Sequence, residues 1–264
     1  WCRGQSRSNL TLLVMTQLGA LEAIQAVSRQ VTDIGGRFML HPDTRAIGTQ
    51  AGYPNGYSWY VTGRGGVLGD VDADVIVAAF AFFNPQVVRK MWEAGVTVEG
   101  AHNAGSRYAA ACAAWGRQRL QGIEGCDRFC ELAESLVNSV DVAGLPLFAA
   151  WRNEALPPDA EGRAYQLLHV MREWRGSAHI VAVLSGGITP LQAVLATDGG
   201  SATAKFLGWG DDLSNATHLK DSIVGIELLT DNLMLSAYES ALDAGERAEF
   251  VELVDNFANA LANK

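Results

Sequence analysis

A chain of 264 residues fits one large domain or two of about 130, so length leaves the domain count open. Hydrophobic residues make up 48% and charged residues 19%, and no apolar run approaches the roughly 18 residues a bilayer span needs. Those figures exclude a disordered chain, a membrane-spanning protein and a fibrous repeat. The 20 Lys and Arg against 29 Asp and Glu give a net charge of −9, so phosphate backbones repel the chain unless its arginines cluster. Four cysteines, Cys2, Cys112, Cys126 and Cys130, are too sparse for a disulfide framework.

Residues 1–14 carry Arg3 and Arg7 and then the apolar stretch Leu10-Thr-Leu-Leu-Val14. A secretory signal has this order, but Thr16 and Gln17 interrupt the apolar region too early. The segment reads as a tag or an upstream-translated extension, with helix opening near Met15. The expected localisation is cytoplasmic.

From there the period is helical. Leu21, Ile24, Val27, Val31 and Ile34 recur at three to four residues and predict a helix ending near Gly35-Gly36. Pro42-Asp43 opens a short helix towards Gly52, and Tyr53-Pro-Asn-Gly56 is turn chemistry. Tyr57, Tyr60 and Val61 share a face of a third helix, which should stop at Gly63-Arg-Gly-Gly66. The acids Asp70, Asp72 and Asp74 precede an apolar run and suit helix capping better than a metal. Asn84-Pro85 is an N-cap followed by Pro at the first helical position, opening a helix through Trp92. Helices are also expected over 102–120 and 127–140.

In the second half, 160–174 reads as a helix, with His179 to Leu184 a separate apolar segment ending in Gly186-Gly187. Thr189-Pro-Leu-Gln192 is a capping box, and Asp243-Ala-Gly-Glu246 a looser one. Between them a long helix spans 216–242. Phe250, Leu253, Val254, Phe257 and Leu261 line a last helix. No stretch alternates with period two, so the expected class is mainly α.

Sliding the chain along itself by 121 residues sets Gly65-Gly66 on Gly186-Gly187 and 128–136 on 249–257, with Phe, Glu and Leu identical in the latter. Two matches at one offset suggest duplication. The expected organisation is unit 1 over 15–141 and unit 2 over 142–264, related by a pseudo-twofold, with helix 127–140 overlaying helix 243–261.

Three stretches carry a family resemblance: 51–69, then 79–85 with Trp92, and Arg172-Glu-Trp-Arg-Gly-Ser-Ala-His179 followed by Gly186-Gly-Ile-Thr-Pro190. They resemble an actinobacterial helix-turn-helix-like family typified by a Streptomyces coelicolor protein. The family's Tyr-x-x-x-Arg motif stands here as Tyr60 and Arg64, with Val67 where the family favours Pro, and its Arg-Gly-x-x-His motif as Arg175 to His179. The resemblance covers nearly all of 20–262. It implies a cytosolic fold of tandem winged-helix-like units and no established activity.

As a helix-turn-helix, the stretch from Thr44 through Gly52 is an acceptable scaffold. Its would-be recognition helix, 55–62, has no basic residue, whereas groove-reading helices place Arg, Lys, Asn or Gln at base edges. Five histidines form no His-x3-His pair. His169 and Glu173, at i and i+4, fit a helix-surface ion pair better than metal ligation, and Cys126 and Cys130 fit small core residues. No phosphate-binding glycine motif or nucleophile elbow occurs.

What remains is Tyr57, Tyr60, Arg64, Arg175 and His179 in apolar, glycine-rich settings near Trp59, Phe80, Phe83 and Trp92. A fixed cation, phenols and an imidazole among aromatic rings suit an organic ligand that is anionic or aromatic. Against this, Arg64 and Arg175 could pair with Asp70, Asp72 or Glu173 to hold loops. The expected function is small-molecule binding in a pocket between two helical units, with Tyr57, Tyr60, Arg64 and His179 facing one cavity. An enzyme would use the same pocket with His179 as acid or base; a transcriptional regulator would use the units as half-site readers. Catalytic residues and cofactors stay unassigned, no metal and no membrane partner is expected, a nucleic-acid partner is disfavoured by the acidic balance, and either a monomer or a homodimer fits.

Overall fold

Every regular element in the computed structural model is a helix among the residues it describes, which are 18–211, 213–214 and 216–262. The first half holds α1 (Ala20–Gly35), α2 (Pro42–Gln50), α3 (Gly56–Gly66), α4 (Ala73–Ala79), α5 (Pro85–Glu99), α6 (Ala101–Leu120) and α7 (Cys126–Ser139). The second holds α8 (Pro146–Arg152), α9 (Ala160–Ser185), α10 (Pro190–Ala196), α11 (Gly200–Phe206), a 3-10 turn (Thr217–Leu219), α12 (Lys220–Ala241) and α13 (Ala244–Ala262). The fold is mainly α. It has no β-wing among the described residues, which corrects the winged part of the expectation: without period-two alternation no segment has a face to lay on a sheet. The reading of residues 1–14 lies outside the described residues.

Helix starts follow the capping chemistry of the sequence. Asn84 Oδ1 accepts from the backbone N–H groups of Gln86 (2.9 Å) and Val87 (3.3 Å), with Pro85 next to it. Thr189 and Gln192 close a reciprocal box at the head of α10. Asp243 and Glu246 do the same before α13, at 2.8 and 3.0 Å. Asp72 accepts from the Asp74 N–H, so this acid caps α4.

Two helix ends lie beyond the expected ones. α3 runs through the glycines to Gly66 because α6 crosses it there. A Cβ on Gly63 would stand 2.4 Å from Tyr108 Cδ2, and one on Gly66 would stand 2.3 Å from the Ala101 carbonyl oxygen. These glycines therefore serve helix packing, where the expectation was a helix stop. α9 does not break at Trp174 but continues through His179 to Ser185. One glycine inside a helix costs about 1 kcal/mol, which the burial of Ser177, Ala178, Ala182 and Val183 outweighs at Gly176. Helices α8 and α11 carry no sequence signal in the pattern above; at seven residues each they are too short for a 3.6 period to show.

α9 is the axis of the molecule. Residues 164–171 are buried without interruption, and α6, α7, α1, α12 and α8 all pack around it. The main core runs from Ala20 to Leu261, so apolar burial crosses the boundary at residue 141. α7 and α13 lie side by side, with the rings of Phe129 and Phe250 stacked 5.5 Å apart and Arg128 donating to Glu249 at 2.9 and 3.0 Å. A smaller apolar cluster (Val194, Leu195, Ala204, Leu207 and Ala216) seats α10 and α11 on Phe82 and Phe83. No single helix among the described residues is long and apolar enough to cross a membrane.

The α3–α6 crossing yields a paired prediction. Gly66→Ala should lower the urea midpoint by the equivalent of roughly 1–3 kcal/mol, since its Cβ meets backbone that has no room to move. Gly225→Ala, mid-helix in α12 with nothing within 4 Å, should raise it by up to about 1 kcal/mol. Equal effects at the two positions would contradict the packing role.

Candidate functional site

α9 carries a carboxylate, Glu173, into the interior with 1% of its side chain exposed. Burying an unpaired carboxylate is prohibitive, so the surrounding chain supplies cations. Arg64, on the last turn of α3, donates from Nε to Glu173 Oε1 (2.9 Å) and from Nη2 to Oε2 (2.7 Å), a two-pronged pair. Arg172 donates from Nη1 to Oε1 at 2.7 Å. Burial works against the charge on Glu173, but these guanidiniums more than offset it and hold the carboxyl at about 2. Arg64 Nη1 also donates to the Tyr60 hydroxyl at 3.0 Å, and the guanidinium lies 4.5 Å from the Phe80 ring centre. The Arg64 carbonyl accepts from Trp151 Nε1 at 3.1 Å.

His169, one turn before Glu173, is fully buried. Its Nδ1 is 3.0 Å from the Gly35 carbonyl, which only accepts, so Nδ1 carries the proton and Nε2 is bare, 3.6 Å from Glu173 Oε1. Burial, partly opposed by Glu173, pushes the imidazole down to about 4. The helix-surface ion pair expected of His169 and Glu173 is thus corrected. Both lie inside the core, and the charge partners of Glu173 are arginines.

Above this cluster opens a cavity of about 410 Å³, within the usual range for organic ligands. α3, α9, α10, α11 and the turn at 79–83 wall it. Tyr60, Arg64 and His179 line it together with Phe80, Phe82, Phe83 and Phe206. His179 is stacked on Phe82 at 5.7 Å, and its Nδ1 meets Thr230 Oγ1 at 3.0 Å. The Thr230 hydroxyl proton is given to the Ile226 carbonyl, so Nδ1–H donates to Thr230 and Nε2 is the ring's basic atom. Burial lowers the His179 pKa, with Glu227 pulling the other way.

Two expected site residues stand elsewhere. Tyr57 does not line the cavity; its hydroxyl donates to the Phe206 carbonyl, tying α3 to α11. Arg175 also stays out, because the helical turn aims it at α12, where it donates to Glu227 at 2.6 Å and lies 3.7 Å from Asp231. Arg64 does pair with Glu173, one of the alternatives open in the sequence, yet it remains in the cavity wall. The sequence reading missed Arg172 and Phe82 as lining residues. Arg172 heads the Arg172-Glu-Trp-Arg175 stretch and could have been found there.

Among the described residues no three His, Cys, Asp or Glu side chains gather in a way that could hold a metal. Cys126 and Cys130 are core residues whose thiols burial pushes up to about 11 and 12. The helix that would read DNA, α3, is buried from Ser58 to Gly66, so its side chains are spent on the core.

Residues 24–221 match the helix-turn-helix family. No curated protein matches the chain, and no solved structure does.

The buried pair predicts acid sensitivity. Unfolded, His169 takes a proton near 6.5, and folded only near 4, so its contribution to stability is complete above pH 6.5 and is lost as pH falls to 4. Glu173 extends the loss from about 4.5 down to about 2. Urea midpoints measured from pH 7.5 to 4.5 should fall, and His169→Gln should flatten that fall relative to its own midpoint at pH 7.5. An unchanged slope in the variant would refute the assignment.

Proposed function

The chain belongs to the helix-turn-helix family, and we propose that it uses this helical scaffold to bind a small organic ligand, anionic or aromatic, in the cavity above Glu173. The observation that carries the reading is the conjunction of Tyr60, Arg64 and His179, from helices far apart in sequence, in one largely apolar cavity. Arg64 and Arg172 against one ionised carboxylate leave that end net positive, which favours an anion. The ligand sites of this reading are Tyr60, Arg64 and His179, with Tyr57 and Arg175 acting through α11 and α12.

The two-unit organisation is part of the same proposal. Shifted by 121 residues, α6 and α7 fall at 222–241 and 247–260, inside α12 and α13. The residues equated by that shift, Phe129 with Phe250 and Arg128 with Glu249, meet as they would beside a twofold axis.

The family's description favours a second reading, a DNA-binding regulator. Against it stand the burial of α3 and the net charge of −9, which together leave few exposed side chains for base edges and few cations for phosphates.

Thr197 lines the cavity from an exposed position, so filling it leaves the core intact. A thermal-shift screen of organic anions should find ligands for the native chain, and Thr197→Trp should abolish their shifts without lowering its own melting temperature. Ligand shifts that survive this substitution would place binding elsewhere. A nanomolar band shift on DNA at physiological salt would favour the regulator.

A further inference from the structure

The cavity's deep end is a surface of donors. Both Glu173 oxygens are taken, Oε1 by Arg64 and Arg172 and Oε2 by Arg64, so the carboxylate offers little to a ligand. The Tyr60 hydroxyl accepts from Arg64, which leaves its own proton without an acceptor among the described residues. Arg172 lines the same end and gives Glu173 only its Nη1. A group that only accepts fits there; an amide or an ammonium would bring donors to a wall of donors.

Charge sets the valence. Arg64 and Arg172 are the only permanent cations in the described lining, and Glu173 neutralises one of them. One negative charge balances the site. A phosphate monoester, which carries about −1.5 to −2 at neutral pH, overfills it. The remaining wall is aromatic: the Tyr60 and Phe83 rings lie 5.6 Å apart, and those of Phe80 and Phe83 5.7 Å, beside Phe82 and Phe206.

We infer that the ligand is an aromatic monocarboxylate, its carboxylate on the Tyr60 hydroxyl and the arginine edges and its rings among the phenylalanines. This rests on the cavity being the ligand site.

Three probes of one shape separate the possibilities: 2-naphthoate, 2-naphthamide and 2-naphthyl phosphate, titrated calorimetrically into the full chain. The naphthoate should bind at least about tenfold more tightly than either other probe, the scale of one charge-assisted hydrogen bond. Tyr60→Phe and Arg172→Gln should each weaken the naphthoate by about tenfold and leave the amide within about twofold. If the amide or the phosphate binds as tightly as the naphthoate, or the variants weaken all three alike, the carboxylate assignment fails. The cavity then stands as long as Thr197→Trp still blocks binding. If none of the three probes binds, both the carboxylate assignment and the cavity reading fail.

Discussion

One buried carboxylate constrains the rest of this molecule. Glu173 sits on α9 with almost no access to water, and a charge so placed persists only if other elements bring cations to it. Arg64 comes from α3, and Arg172 curls back from the same helix. Breaking a buried pair of this kind typically costs about 3–5 kcal/mol, because the partner is left charged and unsolvated. The pair thereby ties α3 to α9, and it also fixes the charge at the bottom of the cavity.

That arrangement depends on close helix approach. Arg64 reaches Glu173 because α3 lies against α6 with glycines where side chains would hold the backbones apart. The apolar work is shared across the whole chain: the core that surrounds α9 draws on residues from Ala20 to Leu261. α10 and α11, by contrast, rest on a small cluster of their own over Phe82 and Phe83. The cavity is thus walled by the main core on its α3 and α9 side and roofed by short helices, which the Tyr57 and Trp209 hydrogen bonds to the Phe206 and Phe82 carbonyls hold in place.

A helix-turn-helix pattern describes how helices succeed one another, and the same pattern can face inward. Here the second helix is given over to Trp59, Tyr60, Val61 and Arg64, all buried. Its Tyr60 and Arg64 line the cavity. One scaffold hosts many functions, so the scaffold's name alone assigns none.

Caps and apolar spacing are local properties, so the sequence disclosed them. Asn84-Pro85, Thr189 with Gln192 and Asp243 with Glu246 start helices where their chemistry says, and the mainly α class follows from a period of three to four with no alternation. Tyr60, Arg64 and His179 were legible as polar groups in apolar settings. Long-range partnership was not legible. Arg64 and Glu173 are 109 residues apart, and nothing in either stretch says that one will find the other rather than Asp70 or Asp72. Nor could spacing tell that Arg175, three residues after Arg172, turns to α12 while Arg172 stays at the cavity. The glycines of α3 read as a stop in sequence and act as a contact in space, because a glycine's meaning depends on what lies within a few ångströms of its missing side chain. Only the packed chain decides that.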